Sequence, residues 1–586
     1  MEIFSEDSKP LIIDNFTGEN FLNNPNILKK TALVLVLPNT KYDERIQIDS
    51  KLLKICEKLD ENGLLITIGK PQDLAHIHKI LQSKLRFQSW IVVGENSLEP
   101  DENSNRLMES HFGILIHSKY NQTLFHTLTR ARYTICPFCG KTTKDYGGKK
   151  HTFHDYGTLI SDVWKELRLN YNSDFIELYT ILSKLFGVEG LEHLKIWDLR
   201  TNSEKYIHKK KSNFPVILKT SNEISLGSEL LNGDCIEALK KIPDNSVDFV
   251  FVDPPYNIKK KYSGYNDSKD IEDYFKWCDS WLFELARVLK PNRTLAILNI
   301  PLWAIRHFEY LDTILDFQNW LVWDGLSFPV RKIMPAHYSI LCFSKGKPRV
   351  IPAYQVVGGI KEIINVSPYF RSLQPLKVGY CLRSSCVSKR IKSSRTRDPF
   401  ITDLWTDIHR LKHNSRRVDH PCLLPPTLMY RLLAAFTFKG ETVLDCFNGA
   451  GTTTLTAEQL ERKFIGIELS PEYFAMSQKR HQELKFGLDP FRKMENTLTT
   501  KNSRVPRVKK NSTGFTKKEV QLDIKSVMKL LGKIPEKADY QKFGKYSIDI
   551  VDSLFQSWSD ACAAAKTTGM NENPDPVRMA QLNLDL

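Results

Sequence analysis

The sequence predicts an α/β protein built on a doubly wound sheet, preceded by a second α/β lobe and followed by a small helical domain. Three observations carry this expectation. Across residues 216–490, short apolar runs rich in β-branched and aromatic residues alternate with stretches of helical periodicity. Residues 1–215 pass through a similar succession of apolar segments. After about residue 487 the alternation fades into a polar, basic stretch, and then into a short helical pattern.

Taken in order, VDFVFV at residues 247–252 suits a buried parallel strand. Tyr274, Trp277, Trp281, Leu285, Val288 and Leu289 recur at helical spacing. Lys290-Pro291-Asn292 stops that helix, and TLAIL from Thr294 is the next strand. The first lobe repeats the plan. LVLVLPNT from Leu33 lies on FVFVDPPY from Phe249, and LDENGLLITI from Leu59 on LKPNRTLAIL from Leu289. HFGILIHSK from His111 lies on HYSILCFSK from His337, and LISDVWKEL from Leu159 on FITDLWTDI from Phe400. Four matches in one order point to an internal repeat. In that alignment Leu37 stands for Asp253 and Thr40 for Tyr256, and KIWDLRTN from Lys195 matches the segment from Val443 without a glycine. The first copy reads as a chemically silent partner lobe.

At 586 residues the chain is too long for one core. With 41% hydrophobic and 26% charged residues it has the composition of a soluble globular protein. It contains no apolar run of roughly eighteen residues and no signal-like start, so the expectation is a cytoplasmic protein without a membrane span. A net charge of +15 points to a polyanionic partner. Eleven scattered cysteines argue against a disulfide framework and leave metal ligation as the alternative.

Asp253-Pro254-Pro255-Tyr256 follows a strand and suits methyl transfer to an exocyclic amine. The nitrogen lone pair is delocalised into the base, so an enzyme must draw the nitrogen toward tetrahedral geometry. Asp253 and the Pro254 carbonyl can accept its two hydrogens, two prolines preorganise the loop, and Tyr256 offers a stacking face for a flipped base. A second motif, VLDCFNGAGTTT from Val443 to Thr454, reads as strand, glycine turn and helix start. Asp445 ends its strand, Gly449 and Gly451 admit a ligand, and Thr452 and Thr453 open the helix. Glu468 ends the next strand, where an acid takes ribose hydroxyls.

These motifs, in this order, resemble the permuted β class of DNA amino-methyltransferases over roughly residues 228–487. The resemblance implies a Rossmann-like methyltransferase sheet, S-adenosyl-L-methionine as cofactor, and duplex DNA with one base flipped out as substrate. It implies that Asp234, in Asn232-Gly233-Asp234, contacts the cofactor's adenine. It also implies that His420-Pro421 covers the methionine end and that Phe447, Gly449 and Gly451 form the Phe-x-Gly-x-Gly loop. Cys446, where proline is usual, and Leu424, near a frequent lysine, are departures. The aspartate in the loop favours adenine N6; cytosine N4 and a non-catalytic DNA-binding regulator are the alternatives. By analogy the enzyme serves a restriction-modification system, with a restriction endonuclease as partner; the oligomeric state is open.

Residues 327–419 are the expected target-recognition region, with Lys389, Arg390, Lys392, Arg395 and Arg397 suited to phosphate and guanine contacts. Cys136 and Cys139, with His151 and His154, have the ligand types of a structural zinc site within 136–154. Cys381 and Cys386 stand in the equivalent stretch of the second copy, so one site per copy, a joint four-cysteine site and no metal all stay open. Residues 491–518 read as a basic linker. Residues 519–572 resemble the helical DNA-binding repeat associated with homing endonucleases, and 573–586 form a tail.

Overall fold

A computed structural model describes residues 13–15, 32–61, 63–96, 104–119, 130–131, 135–141, 158–186, 194–209, 226–258, 261–262, 265–325, 333, 335–355, 386, 389, 401–408, 424–491, 517–555 and 557–567. The first lobe contains β1 (Ile13–Asn15), β2 (Ala32–Val36), α1 (Asp49–Lys58), β3 (Leu64–Gly69), α2 (Pro71–Leu81), β4 (Arg86–Glu95), β5 (His111–Ser118), β6 (Val163–Leu169), α3 (Ile176–Leu185) and β7 (Leu194–Asp198). Its sheet runs β1-β7-β2-β3-β5-β4-β6.

The second lobe contains β8 (Glu229–Asn232), α4 (Cys235–Leu239), β9 (Val247–Val252), α5 (Ile271–Val288), β10 (Leu289–Asn299), α6 (Pro301–Ile314), β11 (Asp316–Trp323), β12 (Tyr338–Ser344) and β13 (Leu404–Trp405). It continues through α7 (Pro426–Phe436), β14 (Thr442–Asp445), α8 (Thr452–Gln459), β15 (Lys463–Glu468) and α9 (Pro471–Lys485). Its eight strands run β8-β15-β14-β9-β10-β12-β11-β13. The sheet is parallel from β8 to β10, and β12 lies antiparallel between β10 and β11. This is the expected mixed α/β fold.

The apolar run 247–252 is buried throughout because β9 is central and covered on both faces. Val250 and Val252 share a core with Tyr274 and Trp281 of α5, while Phe249 stacks on Phe436 of α7 on the other face. The Asp270 carboxylate caps α5, and Pro301 opens α6 where no amide is needed. One boundary differs from expectation. The helix ends at Val288, and β10 begins at once with Leu289, with Asn292 at a φ of 63° absorbing the irregularity that Pro291 imposes.

Six strands of the first lobe, β7-β2-β3-β5-β4-β6, repeat β14-β9-β10-β12-β11-β13 in order and direction. Even the register irregularity between Phe87 and Ser89 recurs between Phe317 and Asn319. The ladders correct the alignment of β2 by one residue. Leu65 faces Leu33 as Leu295 faces Val250, and Leu33 and Val250 both point into the shared core. Val36, rather than Leu37, therefore holds the place of Asp253, and Asn39 that of Tyr256. Neither substitution restores an acid to that position.

The lobes meet along α2 and α6, and one apolar core runs through both. The contact is reciprocal. His337 Nδ1 lies 3.1 Å from Asp162 Oδ2, and His111 Nδ1 lies 3.1 Å from Asp403 Oδ1. Each aspartate also accepts a backbone amide from the other lobe, Asp162 from Ala336 and Asp403 from Ser110, both at 2.8 Å.

The helical module, described by itself, comprises α10 (Lys517–Leu531), α11 (Lys537–Phe543), α12 (Ile548–Leu554) and α13 (Trp558–Thr567). Val520, Ile524, Tyr540, Val551 and Phe555 fill its small core, and Trp558 Nε1 donates to the Pro535 carbonyl at 3.0 Å. Most of the expected linker lies outside the described residues. Among the described residues, no helix is long and apolar enough to cross a membrane.

Candidate active site

β9 and β14 are neighbouring parallel strands with Phe251 opposite Asp445. The loops that follow them therefore leave the sheet at the same end, although far apart in sequence. They open into one cleft. Asp253, Pro254, Pro255 and Tyr256 line it together with Asp234, Asp445, Phe447, Gly449, Thr452, Thr453 and Glu468. Gly451 sits just behind as the N-cap of α8. His420 and Pro421 lie outside the described residues.

Neighbouring side chains hold the first loop. Tyr274 Oη donates to the Pro255 carbonyl at 2.7 Å, and Trp303 Nε1 donates to the Tyr256 carbonyl at 2.9 Å. The amides of Asn257 and Ile258 donate to the two oxygens of Asp267 at 2.8 and 3.0 Å. Asn257 takes a φ of 57°, a left-handed turn that asparagine tolerates, and its side chain bonds both ways with the Lys269 backbone. Within the loop, Tyr256 Oη donates to Asp253 Oδ1 at 2.8 Å. The Tyr256 ring lies 6.3 Å from Tyr338, which stacks on Trp323 at 5.2 Å.

The second loop is tied to β15. Glu468 accepts the Gly449 amide on one oxygen and the Ser470 amide on the other, both at 2.8 Å. Asn448 Nδ2 donates to Ser477 Oγ at 3.0 Å, and Thr454 Oγ1 donates to Asn448 Oδ1 at 2.9 Å. Gly451 has a φ of 84°, and a Cβ there would overlap Ser477 Oγ. Phe447 meets Trp277 and Trp281 edge-on at 5.7 and 5.3 Å, forming an aromatic wall.

Charge in the cleft is acidic. Burial pushes the Asp445 carboxyl up to about 7 against the hydrogen bond of Thr453 and the Phe447 amide, and the charges of Asp253 and Glu468 add to the rise. Burial also raises Glu468, opposed by the amides of Ser470 and Gly449. Asp234 accepts the amides of Ile236 and Glu237 as the cap of α4 while its residue lines the cleft. Such a site suits a cationic ligand carrying hydroxyls and an aromatic base.

Lys269, Trp277 and Tyr473 also line the cleft and carried no motif. Trp277 belongs to the helical stripe, and a stripe alone does not show which member faces a ligand. Leu424 lines the cleft as well.

In the first lobe the corresponding region is plugged. Tyr171 Oη donates to the Leu37 carbonyl at 2.8 Å, and Arg200, in the turn after β7, donates to the Tyr171 carbonyl and lies over the Phe175 ring. Of the metal candidates, Cys136 and Cys139 stand beside Cys386, whereas His151 and His154 lie outside the described residues. Lys389 is exposed; Arg390, Lys392, Arg395 and Arg397 are outside the described residues.

Residues 247–479 match the DNA methylase family N6_N4_Mtase. Type II methyltransferase M.BamHI of Bacillus amyloliquefaciens is 35% identical over 250 residues, which are 41% of this chain and 54% of that protein. The chain thus spans about half the length of this relative. Type II methyltransferase M.HpaI of Haemophilus parainfluenzae is 28% identical over 273 residues, 45% of this chain and 77% of the relative. The solved PvuII DNA methyltransferase, which is cytosine-N4-specific, aligns at 19% identity over 44% of this chain and 86% of its own, with a TM-score of 0.30.

Proposed function

We propose that this chain transfers a methyl group from S-adenosyl-L-methionine to an exocyclic amine of a base flipped out of duplex DNA, with adenine N6 as the target. The observation that carries the reading is the pairing of β9 with β14, which brings the Asp253–Tyr256 loop and the Phe447–Thr453 loop to one cleft. The family match over residues 247–479 supports the same chemistry.

The residues present fit the cofactor. Asp445 and Glu468 supply negative charge and ribose acceptors, Phe447 and Trp277 an apolar aromatic wall, and the Gly449–Gly451 turn lets backbone come close. Asp234 is assigned to the adenine end and His420-Pro421 to the methionine end. When bound, the cofactor supplies an electrophilic methyl group on a sulfonium. Asp253 and the Pro254 carbonyl accept the two amine hydrogens and draw the lone pair out of conjugation. Asp253 need not be a strong base, because the amine becomes acidic only as the methyl arrives. Bonds from Tyr274, Trp303 and Asp267 fix the loop beforehand, so little reorganisation remains for the reaction itself. The Tyr256 ring provides the stacking face for the base.

The aspartate of the loop supports adenine, and the Type II relatives support a modification role beside a cytoplasmic restriction endonuclease. The first lobe serves as an in-chain partner, and the helical module as a further DNA contact. The test is incubation of the protein with duplex DNA and S-adenosylmethionine, followed by mass analysis of the nucleosides. N6-methyladenine is expected. N4-methylcytosine would overturn the base assignment, and DNA binding without either product would identify a non-catalytic regulator.

A further inference from the structure

Outside the cleft, the thiol sulfurs of Cys136, Cys139 and Cys386 all lie within 4.8 Å of one another. Cys136 and Cys386 are 250 positions apart in sequence, yet both are buried with Sγ atoms 3.9 Å apart. That separation is far beyond a disulfide bond of about 2.05 Å. It is close to the roughly 3.8 Å between two sulfurs that each sit about 2.3 Å from one tetrahedral zinc ion. The turn holding the first pair is closed on itself. The Gly140 amide donates to the Cys136 carbonyl at 2.8 Å, and the Cys136 amide donates to the Lys141 carbonyl at 3.0 Å. Gly140 has a φ of 63°, a left-handed conformation that turns the chain back after Cys139 so that Lys141 can meet the Cys136 amide.

The placement of these residues follows the repeat. Cys136 and Cys139 lie in the connection from β5 to β6, and Cys386 lies in the equivalent connection from β12 to β13. Three converging sulfurs with no acid among them form a soft donor set, which selects zinc over magnesium or calcium. We propose that Cys136, Cys139 and Cys386 bind one zinc ion as thiolates, releasing their protons, and so clip the insert of the first lobe to the insert of the second. The insert carrying Cys386 is the stretch assigned to target recognition. On that reading the metal governs DNA engagement while leaving the cofactor cleft, which none of the three cysteines lines, intact. The metal site itself does not depend on which base is methylated, or on whether any base is.

The experiment is metal analysis of the full chain purified under reducing, zinc-replete conditions, with Cys386→Ser and the control Cys562→Ser, whose thiol is buried in the helical module. After dialysis against a competing chelator, near one zinc per chain is expected for the wild type and the control, and at least a tenfold lower zinc content in Cys386→Ser. If Cys386→Ser does not fold, the wild type still decides the question. Cobalt loading should give thiolate charge-transfer absorption with tetrahedral visible bands, and a chelator should open Cys136, Cys139 and Cys386 to alkylation together. Wild-type protein that neither retains nor takes up zinc overturns the proposal, as does full zinc content in folded Cys386→Ser. Alkylation of the three thiols unchanged by the chelator overturns it as well.

Discussion

Trp90 stacks on Trp320 across the lobe contact, with ring centroids 5.0 Å apart and planes 16° from parallel, and the two residues occupy equivalent places on β4 and β11. Leu115 faces the first and Leu341 the second, so a residue meets its own counterpart near the centre of the repeat. Both indoles are buried in the core that runs through both lobes. Trp320→Ala should therefore cost about 3–5 kcal/mol. Because the core is continuous, denaturation followed by tryptophan fluorescence and by circular dichroism should give coincident transitions for the two lobes. Two separated transitions beyond that of the helical module, which has a core of its own, would contradict a core shared by the lobes.

Asp253→Ala should lower the methyl-transfer rate by about two to three orders of magnitude, the usual loss for one preorganised polar group. Cofactor and DNA affinity should change little, because the loop is held by Tyr274, Trp303 and Asp267 rather than by the Asp253 carboxylate. Single-turnover kinetics with calorimetric binding separates these effects, and activity equal to wild type would sink the mechanism.

Tyr256 has two separable parts. Its hydroxyl bonds Asp253, and its ring is the face proposed to stack on the base. Tyr256→Phe should retain most of the activity. Tyr256→Ala should lose about 1–3 kcal/mol of base stacking, seen as weaker binding of DNA with a mismatched or abasic partner at the target base. Equal losses in the two variants would assign the role to the hydroxyl instead.

Asp445 supplies a pH dependence with a definite sign. Its carboxyl is raised to about 7, so it is neutral below that pH and ionised above. A cationic cofactor prefers the ionised form, so affinity should rise as pH increases through about 7 and then level off. Asp445→Asn should flatten the curve. Asp253→Asn should shift its midpoint down, since the Asp253 charge contributes to the rise. For folding, the elevated value contributes stability at low pH that is lost as pH rises toward 7. Isothermal titration across this range is the measurement, and an unchanged curve in Asp445→Asn would exclude the assignment.

Gly451→Ala places a side chain in a left-handed turn and against Ser477. A cost of about 1–2 kcal/mol from the backbone alone is expected. Gly451→Ala combined with Ser477→Ala should recover only the steric part, as thermal melts with and without cofactor would show.

Much of the molecule was legible in its sequence because the relevant signals were local. VDFVFV announced its strand, Asp253 and the Val443–Thr454 motif announced their loops, and the repeat surfaced through buried strands, whose apolar composition is set by burial on both faces. The alignment slipped by one at Leu33 because consecutive residues of a strand buried on both faces look alike, and only the ladder shows which face each one takes. The meeting of Cys136 with Cys386 was one of the arrangements the repeat left open, but the plug formed by Tyr171 and Arg200 and the reciprocal pairs of His111 with Asp403 and His337 with Asp162 depend on chain segments brought together by topology. No spacing rule encodes such encounters. Trp277 and Lys269 were hidden for the opposite reason, since a helix stripe and a loop cation look ordinary until the cleft is seen.

The reciprocal His–Asp contacts have a consequence for concentration. Two lobes on separate chains would meet at a rate and occupancy set by how much protein a cell holds, and dilution would part them. Joined by one polypeptide, they meet at an effective concentration fixed by the tether, which dilution leaves unchanged. The lobe that carries the cleft thus keeps its neighbour at the lowest copy number, and the seam between them needs only enough affinity to hold two tethered surfaces together.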